Sequence, residues 1–483
     1  MPATRATLED ILKEFYLGPV QEQLNNEVMV LDLMTKATVD WNGRVAIIPI
    51  HVSRNTGVGF SNPDTGGLLP AAGEQGYERL EVNAHFLYGR FQITGPAMSA
   101  AGKGGANSFI GWMEAEMDKL VNDVKSASDN AMISGGRVLG FLNQHKNPGG
   151  GLAPAVDTWE FFGDCEKAQQ LLTAVTTAAG PGAVTNALLV DLVRVDRNAA
   201  NGYAVINTEV ALTAVDTIAR TITLSQTDNN GIGAGAVNTT GVDDGFAIAV
   251  VVSAGQQTEE FVVGAAPAVP AGEQAQVLAV TNALNEEPIG IFGNLGSRVH
   301  FTVNRFSPAS NTEFPVLQSN IMTEVVGGGQ DRAALTLPRM QAVMDQTHQV
   351  SGQEPDCILI SPLARQQYAS LFQLTQNNSA SVMNTSGEGA GKLDGGFSGL
   401  SYGGLPIKTA RHVGSGGMIF LRLASWKVLE LEAHGFADLD GSILARAGVG
   451  GQGIDAYEGY YRWYYNTVTT NPNQNAILCG FNV

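Results

Sequence analysis

The chain has 483 residues, of which 58 are glycine and only 15% are charged. Glycine is thus enriched, and charged residues are depleted, relative to an average soluble protein. The 44% hydrophobic content suffices for a large core. This composition excludes a disordered chain, a collagen and a coiled coil. The 28 basic and 46 acidic residues give a net charge of −18, so the chain lacks the basic footprint of a protein that grips nucleic-acid phosphates.

Residues 1–42 form the first predicted unit, an amphipathic N-terminal arm. Thr7–Asp10 fits a capping box, and the helix that it opens is predicted to end at Gly18 and Pro19. A second helical period runs from Val20 to Met34. Two short amphipathic helices do not bury their apolar faces on each other alone, so we expect the arm to lie on a partner surface.

Residues 43–95 are predicted to form a long hairpin. Val45–Ile50 is an apolar strand, and the return strand from Leu80 to Tyr88 alternates apolar and polar side chains. The segment Gly57–Gly76, rich in Gly, Pro, Asn and Asp, marks the tip. Because a two-stranded ribbon is only marginally stable by itself, we expect this one to project from the body and pack on a neighbour.

Residues 96–140 carry one long helix. Apolar residues recur at helical spacing from Phe109 to Ala131, with Asn107 or Ser108 as the N-cap and Gly135 at the end. About 27 residues at ~1.5 Å each predict a rod of roughly 40 Å.

The remaining chain is predicted to contain two parts. Residues 141–288 hold short β-like runs between Gly-, Asn- and Thr-rich turns, which indicates an inserted β-rich domain. Residues 289–483 return to an α/β pattern. In this part we predict helices opened by Pro338 and by Ser361–Pro362, and a buried strand at Cys357–Ile360. The other predicted strands are, in the insertion, Ala187–Val195, Ile218–Leu224, Phe246–Val252 and Glu260–Val263, and, nearer the C-terminus, Ile407–Ala410, Met418–Leu423, Trp426–Leu431, Tyr457–Tyr465 and Ala476–Phe481.

Two glycine motifs match catalytic patterns but lack the context that these patterns need. Gly448–Gly453 fits the dinucleotide GxGxxG, yet an aromatic strand follows it where a helix is required. Gly399–Gly403 fits the GxSxG nucleophile elbow, yet Pro406 and an extended segment follow. We therefore interpret the first as a flexible glycine loop and the second as a turn between strands, and we predict no catalytic residue, no cofactor and no enzyme activity.

Metal, disulfide and membrane sites are not predicted either. The seven histidines are dispersed without HExxH or a His/Cys cluster, which argues against zinc. Three cysteines lie far apart and form no CxxC pair. The longest apolar run, Phe246–Val252, is far shorter than the ~20 residues that a membrane span needs.

The order of these parts resembles the major capsid proteins of tailed bacteriophages, the Hong Kong 97-like fold family. An amphipathic arm, a long hairpin, one long helix and an α/β body would correspond to that family's N-arm, extended loop, spine helix, and peripheral and axial domains. The likeness covers residues 1–140 and about 289–483, and 141–288 fall where one branch of the family carries an insertion. Local stretches similar to that branch are Ala334–Gln341, Ser351–Asp356, Asp440–Leu444, Asp455–Glu458 and Asn471–Leu478.

The resemblance implies an α+β structural subunit that self-assembles into pentamers and hexamers of an icosahedral capsid around double-stranded DNA. It implies a virion location after assembly in the host cytoplasm, with weak DNA contacts that have no sequence specificity. Because the arm is too short for a scaffolding domain, we expect a separate scaffolding protein, beside a portal and a cement or decoration protein. The alternatives are an encapsulin-type compartment shell and, from another class, an α/β enzyme.

Subunit contacts are predicted where the hairpin meets the long helix of a neighbour. Some family members cross-link subunits through a lysine on the extended loop, but residues 37–102 contain no lysine, so we predict no such cross-link. Instead we expect arginines of the hairpin to pair with acidic residues on adjacent subunits. The predicted contact residues are Arg44, Arg54, Arg79 and Arg90 with Glu114, Glu116, Asp118 and Asp123.

Overall fold

The computed structural model describes residues 30–37, 41–61, 67–96, 106–145, 156–178, 188–195, 203–225, 247–252, 286–297, 299–307, 312–323, 334–376, 400–414, 416–438, 444–449 and 452–481. The predicted helix before Gly18 and the predicted strand Glu260–Val263 lie outside these residues.

The described residues form a mixed α/β structure. The helices are α1 (Val30–Leu33), α2 (Ala106–Ser134), α3 (Cys165–Ala178), α4 (Ile291–Gly296), α5 (Leu337–Ser351) and α6 (Pro362–Gln376). The strands are β1 (Thr35–Ala37), β2 (Trp41–Asn42), β3 (Val45–Ser53), β4 (Gly76–Asn83), β5 (His85–Thr94), β6 (Val138–His145), β7 (Val156–Gly163), β8 (Leu188–Val195), β9 (Tyr203–Asp216), β10 (Thr221–Ser225), β11 (Ala247–Val252), β12 (Val299–His300), β13 (Val303–Asn304), β14 (Phe306–Ser307), β15 (Thr312–Glu313), β16 (Asn320–Thr323), β17 (Cys357–Ile360), β18 (Ser401–Tyr402), β19 (Leu405–Thr409), β20 (Gly417–Leu421), β21 (Trp426–Phe436), β22 (Leu444–Val449), β23 (Gln452–Thr469) and β24 (Ala476–Cys479).

A six-stranded sheet and two helices form one half of the α/β body. The strand order is β16-β24-β20-β17-β19-β18, and all four residues of the central strand β17 are buried. Apolar side chains of α5 and α6, among them Met340 and Tyr368, share a core with this sheet. The Ser361 hydroxyl accepts the Ala364 N–H at 3.1 Å, which confirms the predicted start of α6 and its cap.

A five-stranded sheet carries the long helix α2. In this sheet β23 lies between β5 on one side and β21 with β22 on the other, while β1 pairs with β21 in parallel. Gly89 of β5 faces α2, where an added Cβ would lie 2.6 Å from a methyl carbon of Val124. The helix is therefore in close contact with the sheet at a position where a side chain larger than hydrogen does not fit.

The hairpin differs from its prediction on the return strand. The alternation from Leu80 to Tyr88 predicts one strand, but the structure divides it at Ala84, whose N–H bonds to the Arg44 carbonyl at 3.0 Å. Before this point β4 pairs with β3, whereas β5 pairs with β23 in the other sheet. The alternation of buried and exposed residues shifts by one position at Ala84, so that Phe86 and Tyr88 are exposed while Gly89 is buried.

The sequence predicts no partner within the chain for the return strand Leu80–Tyr88 other than Val45–Ile50, and this is wrong, because the base of the hairpin is held by its own chain. Ala46 and Val82 pack with Leu429 and Val468 of the five-stranded sheet in one buried cluster. Further along the ribbon, a second cluster is formed by Ile50, Leu80, Val303 and Leu317. Only the residues beyond these clusters project from the body.

Strands β6 to β11 form a closed antiparallel barrel in the order β10-β7-β6-β11-β8-β9. Its interior is lined by apolar side chains that include Leu142, Trp159, Phe161 and Ile222. The periodicity of short β-like runs does not predict helix α3, which packs against this barrel core with Leu172. Local sequence patterns do not predict the closure of the barrel, because β10 pairs with β7 although α3, β8 and β9 lie between them in the chain.

The barrel packs on the α/β body through aromatic side chains that point away from its interior. Phe141 and Phe162 both contact Phe292 of α4, with ring centroids 5.8 and 5.5 Å apart. A Cβ on Gly417 of β20 would lie 2.4 Å from the Phe162 ring. The barrel and the body therefore share one hydrophobic cluster at their junction, separate from the interior of the barrel.

Candidate contact surfaces

The tip of the hairpin exposes a group of large apolar side chains. Val58, Phe60, Leu68 and Leu69 are each at least 79% exposed. Single exposed apolar residues are ordinary on protein surfaces, but several at one projecting tip indicate a site that binds another macromolecule.

Local hydrogen bonds and glycines shape this tip as a narrow ribbon. The Asn55 side-chain oxygen accepts the Gly57 N–H at 2.6 Å, and the Ser61 hydroxyl donates to the Leu68 carbonyl at 2.8 Å. A Cβ on Gly73 would lie 2.5 Å from the same Asn55 oxygen. The two arms of the tip are thus in backbone contact, which leaves the apolar side chains on the outside.

A second exposed surface lies on the five-stranded sheet, on the side opposite α2. Phe86, Tyr88 and Arg90 of β5 are cross-strand partners of Tyr464, Arg462 and Tyr460 of β23 and therefore share this side. We call these six residues the tyrosine face. Phe86 is 42% and Tyr88 56% exposed, and the Tyr88 and Tyr464 hydroxyls are 2.8 Å apart.

The charges of the tyrosine face are paired within the chain. Arg90 bonds to Glu458 and Arg462 to Glu432, each at 2.5 Å. The Tyr460 hydroxyl also donates to Glu458, and this bond together with Arg90 lowers the pKa of that carboxyl. The hydrogen bond to Tyr464, followed by partial burial, raises the pKa of the Tyr88 hydroxyl. The face therefore presents aromatic rings with no net charge.

The four predicted hairpin arginines occupy different environments. Arg90 pairs with Glu458, and Arg79 pairs with Glu81 of its own strand at 2.9 Å. Arg54 is exposed near the tip, and Arg44 is exposed at the base of the hairpin. The described structure thus joins two of these arginines to carboxylates of the same chain.

The predicted acidic partners lie along α2. Glu116, Asp118 and Asp123 are exposed on this helix. Glu114 lies on the same helix, and its side chain is outside the described residues. Pairing of these residues with a neighbouring chain stays a prediction.

Sequence reasoning missed a buried ionic junction between the barrel and α2. The Lys167 ammonium of α3 donates to the Ser134 carbonyl at 2.6 Å, the Gly136 carbonyl at 3.1 Å and the Glu287 carboxylate at 2.5 Å. Lys167 thereby caps the C-terminal end of α2, where free carbonyls attract a cation. The available signal was Asp164 three residues earlier, whose carboxylate accepts the Lys167 N–H as an N-cap.

The described residues of the two glycine motifs belong to antiparallel strand pairs and the turn that follows β18. Gly448 pairs with Gly453 and Val449 with Gln452, so the described residues of the GxGxxG pattern lie in two paired strands and not between a strand and a helix. Ser401 belongs to the short hairpin of β18 and β19, and its carbonyl accepts the Tyr368 hydroxyl.

The described part of the chain contains neither a cluster of metal ligands nor a helix suited to span a membrane. Its His, Cys, Asp and Glu side chains form no group of three or more that could hold a metal ion. None of its helices is long and apolar enough to cross a membrane.

Comparison with solved structures identifies the fold. No protein-family model and no curated protein match the chain. A chain of the cyanophage A-1(L) capsid asymmetric unit is similar over 99% of both chains, with a TM-score of 0.51 and 10% identity. Two further matches cover 100% of both chains: the capsid of the native GTA particle (TM-score 0.43, 7% identity) and Mycobacterium phage Bobi (TM-score 0.41, 10% identity). The expected likeness to phage capsid proteins is thus confirmed at the level of the fold.

Proposed function

We propose that the chain is a structural subunit of an icosahedral viral capsid, in which pentamers and hexamers form a shell around double-stranded DNA. The observation that carries the proposal is the fold that the chain shares, along 99% of both chains, with a subunit of a cyanophage capsid. The corresponding location is the virion after assembly in the host cytoplasm. Residues 1–42, 43–95, 96–140, 141–288 and 289–483 then act as N-arm, extended loop, spine-helix region, inserted domain and remaining body.

The exposed hairpin tip supports this function. A shell subunit must contact several neighbours, and the projecting apolar side chains Phe60, Leu68 and Leu69 are costly in a free monomer but become buried in an assembly. The buried base, with Leu80 and Val82, holds the tip at a fixed distance from the body. Folding of one subunit thus prepares the surface that binds the next.

The charge of the chain is compatible with a DNA container. A net charge of −18 disfavours tight, salt-dependent binding to phosphates, so packaged DNA would be enclosed without adhering to the wall. Scaffolding, portal and cement proteins are separate partners in this proposal.

A deletion guided by the tip geometry tests the proposal. A Cβ on Gly57 would lie 2.7 Å from the backbone nitrogen of Gly73, so deletion of residues 58–72 joins two glycines that already lie in contact. We expect the full chain, expressed with its scaffolding protein, to form shells visible by electron microscopy, and the deletion variant to remain a folded, small species in sedimentation velocity. Shells of normal yield from the variant would contradict the role of the tip, and a full chain that remains a small oligomer would favour the enzyme alternative.

A further inference from the structure

Strand β4 of the hairpin has one backbone edge that faces away from β3. The Ala84 N–H bonds to the Arg44 carbonyl at 3.0 Å, and the same register continues along β3 and β4. Since bonded and non-bonded pairs alternate in an antiparallel ladder, the N–H and C=O groups of Arg79 and Glu81 point away from β3. An edge of this kind is a template for pairing with a strand of another chain.

One side chain from a distant part of the chain occupies two of these outward groups. The Thr302 hydroxyl accepts the Glu81 N–H at 3.2 Å and donates to the Arg79 carbonyl at 3.1 Å. The hydroxyl therefore replaces two hydrogen bonds that a further strand would make at this point of β4.

A turn with an unusual backbone conformation places Thr302 on this edge. Phe301 and Thr302 form the two-residue connection between β12 and β13, and Phe301 has a φ of +54°. A bulky residue rarely adopts a positive φ, and such a conformation persists only where the surrounding contacts impose it. Phe301 packs against the buried cluster at the hairpin base, and the His300 ring bonds to the Thr469 carbonyl at 2.9 Å. These contacts hold the Thr302 hydroxyl against β4.

The opposite edge of the ribbon, on β3, is blocked by other means. Pro49 is the cross-strand partner of Arg79, so it occupies an outward position of β3 and offers no N–H there. Nearer the base, β2 covers this edge by pairing with Val45 and Ala46. Proline is a common means of preventing pairing at a strand edge, so Thr302 has on β4 the effect that Pro49 has on β3.

The groups that Thr302 occupies are those that two copies of β4 would use to pair with each other. In an antiparallel pair centred on Leu80, the Glu81 N–H of each copy would bond to the Arg79 carbonyl of the other. The same pair would place each Arg79 side chain opposite a Glu81 side chain, and opposite charges stabilise cross-strand pairs. The contact would be isologous, so both copies would gain the same bonds.

We propose that the turn Phe301–Thr302 is an edge guard, which keeps β4 of one copy from pairing with β4 of a second copy. Because Thr302 belongs to the same chain as β4, it competes at an effective concentration that a dilute second copy does not reach. The inference does not rest on the proposed function, since it concerns the unassembled chain.

Removal of the hydroxyl tests the edge guard. Thr302→Val keeps the shape of the side chain and removes both hydrogen bonds, whereas Thr302→Ser keeps the hydroxyl and is the matched control. At a concentration at which the unsubstituted chain is unassembled, we expect Thr302→Val to raise the association constant of a dimer at least tenfold in sedimentation velocity, and Thr302→Ser to leave it unchanged.

Amide hydrogen exchange reports the same change in the monomer. Exchange of the Glu81 N–H should become at least fivefold faster in Thr302→Val. Exchange of the Leu80 N–H should stay unchanged, because the alternation of the ladder points this group towards β3.

A proline on the freed edge identifies the pairing site. Arg79→Pro removes an outward N–H and obstructs a second strand, so in the Thr302→Val chain it should restore the monomer while the Glu81 N–H still exchanges fast. Arg79→Ala, which keeps the N–H, should leave the dimer detectable.

Three results would overturn the inference. The first is a Thr302→Val chain that stays monomeric, and the second is a dimer that persists with Arg79→Pro. The third is loss of cooperative unfolding in both Thr302→Val and the less bulky Thr302→Ala, which would make Thr302 a requirement for folding. Shell formation by the unsubstituted chain tests the proposed function separately.

Discussion

The carboxylate of Asp129 on α2 holds the backbone of Val30, where the described chain begins. One oxygen of Asp129 accepts the Val30 N–H at 2.7 Å and the Leu31 N–H at 3.0 Å. Asp129 and Val30 are both buried. The first described residues, which belong to the predicted N-terminal arm, are therefore fixed to the C-terminal half of the long helix.

Replacement of Asp129 by alanine is expected to weaken this attachment. The buried Val30 N–H and the partly buried Leu31 N–H lose their acceptor, which should lower the free energy of unfolding by about 2 kcal/mol and accelerate proteolysis near Leu31. Chemical denaturation and limited proteolysis measure both effects. Asp123→Ala, at an exposed position of the same helix, is the control, and equal effects of the two substitutions would contradict the assignment.

Lys167→Met is expected to destabilise the junction between the barrel and α2. It removes the cap from the Ser134 and Gly136 carbonyls and leaves the Glu287 carboxylate with the Gly136 N–H but without its cation, at a cost of about 3 kcal/mol. A double-mutant cycle with Glu287→Gln should recover part of this loss, because the two groups are coupled. Additive effects in equilibrium denaturation would show that the pair contributes no coupling energy.

Two leucines of the same hairpin should respond in opposite ways to aspartate. Leu69 is 79% exposed at the tip, whereas Leu80 is fully buried at the base. We expect Leu69→Asp to leave the unfolding free energy unchanged and to reduce shell yield, because only an assembled tip is desolvated. Leu80→Asp buries a charge and should cost about 4 kcal/mol or more. Thermal denaturation and electron microscopy separate the two outcomes.

His300 should make the fold sensitive to mild acid. Burial, and then the neighbouring Arg305, lower the pKa of His300 well below its ordinary value of 6.5, while its ring bonds the Thr469 carbonyl at 2.9 Å. The folded chain keeps the ring neutral, but the unfolded chain binds a proton below pH 6.5, so stability falls as the pH decreases.

The measurement is denaturant unfolding at pH 7.5 and pH 5.5. At pH 5.5, one unit below the pKa of His300 in the unfolded chain, protonation of the unfolded chain lowers the free energy of unfolding by about 1.4 kcal/mol at most. Between the two pH values, the free energy of unfolding of the unsubstituted chain should therefore fall by about 1 kcal/mol more than that of His300→Gln. Other histidines contribute equally to both chains. Identical pH dependence of the two would refute this assignment.

Assembled particles should contain no covalent link through the hairpin. The described hairpin presents arginines, which stay protonated and are poor nucleophiles, and Lys36 beside it pairs with Glu430 at 2.9 Å. Particles boiled in SDS should release one band near 50.8 kDa. A ladder of dimers, pentamers and hexamers would instead indicate another lysine, such as Lys103 or Lys146.

The sequence by itself determined the elements whose signals are local. The long helix was predicted from Asn107 or Ser108 to Gly135 and extends from Ala106 to Ser134. Met340, Val343, Met344 and Thr347 of α5 are buried as their spacing predicts. These elements were predictable because helix periodicity, caps and apolar strands depend on residues within a few positions of one another.

Tertiary structure alone decided which surfaces meet. The alternation of apolar and polar residues around Ala84 does not reveal that the strand changes its pairing partner there, since an extended backbone can bury either alternate set of side chains. The closure of the barrel, the capping of α2 by Lys167 and the pairing of Arg90 with Glu458 join residues that are 31 to 368 positions apart. Such contacts depend on the packing of whole elements, which local sequence patterns do not encode, and the tyrosine face exists only because β5 lies beside β23.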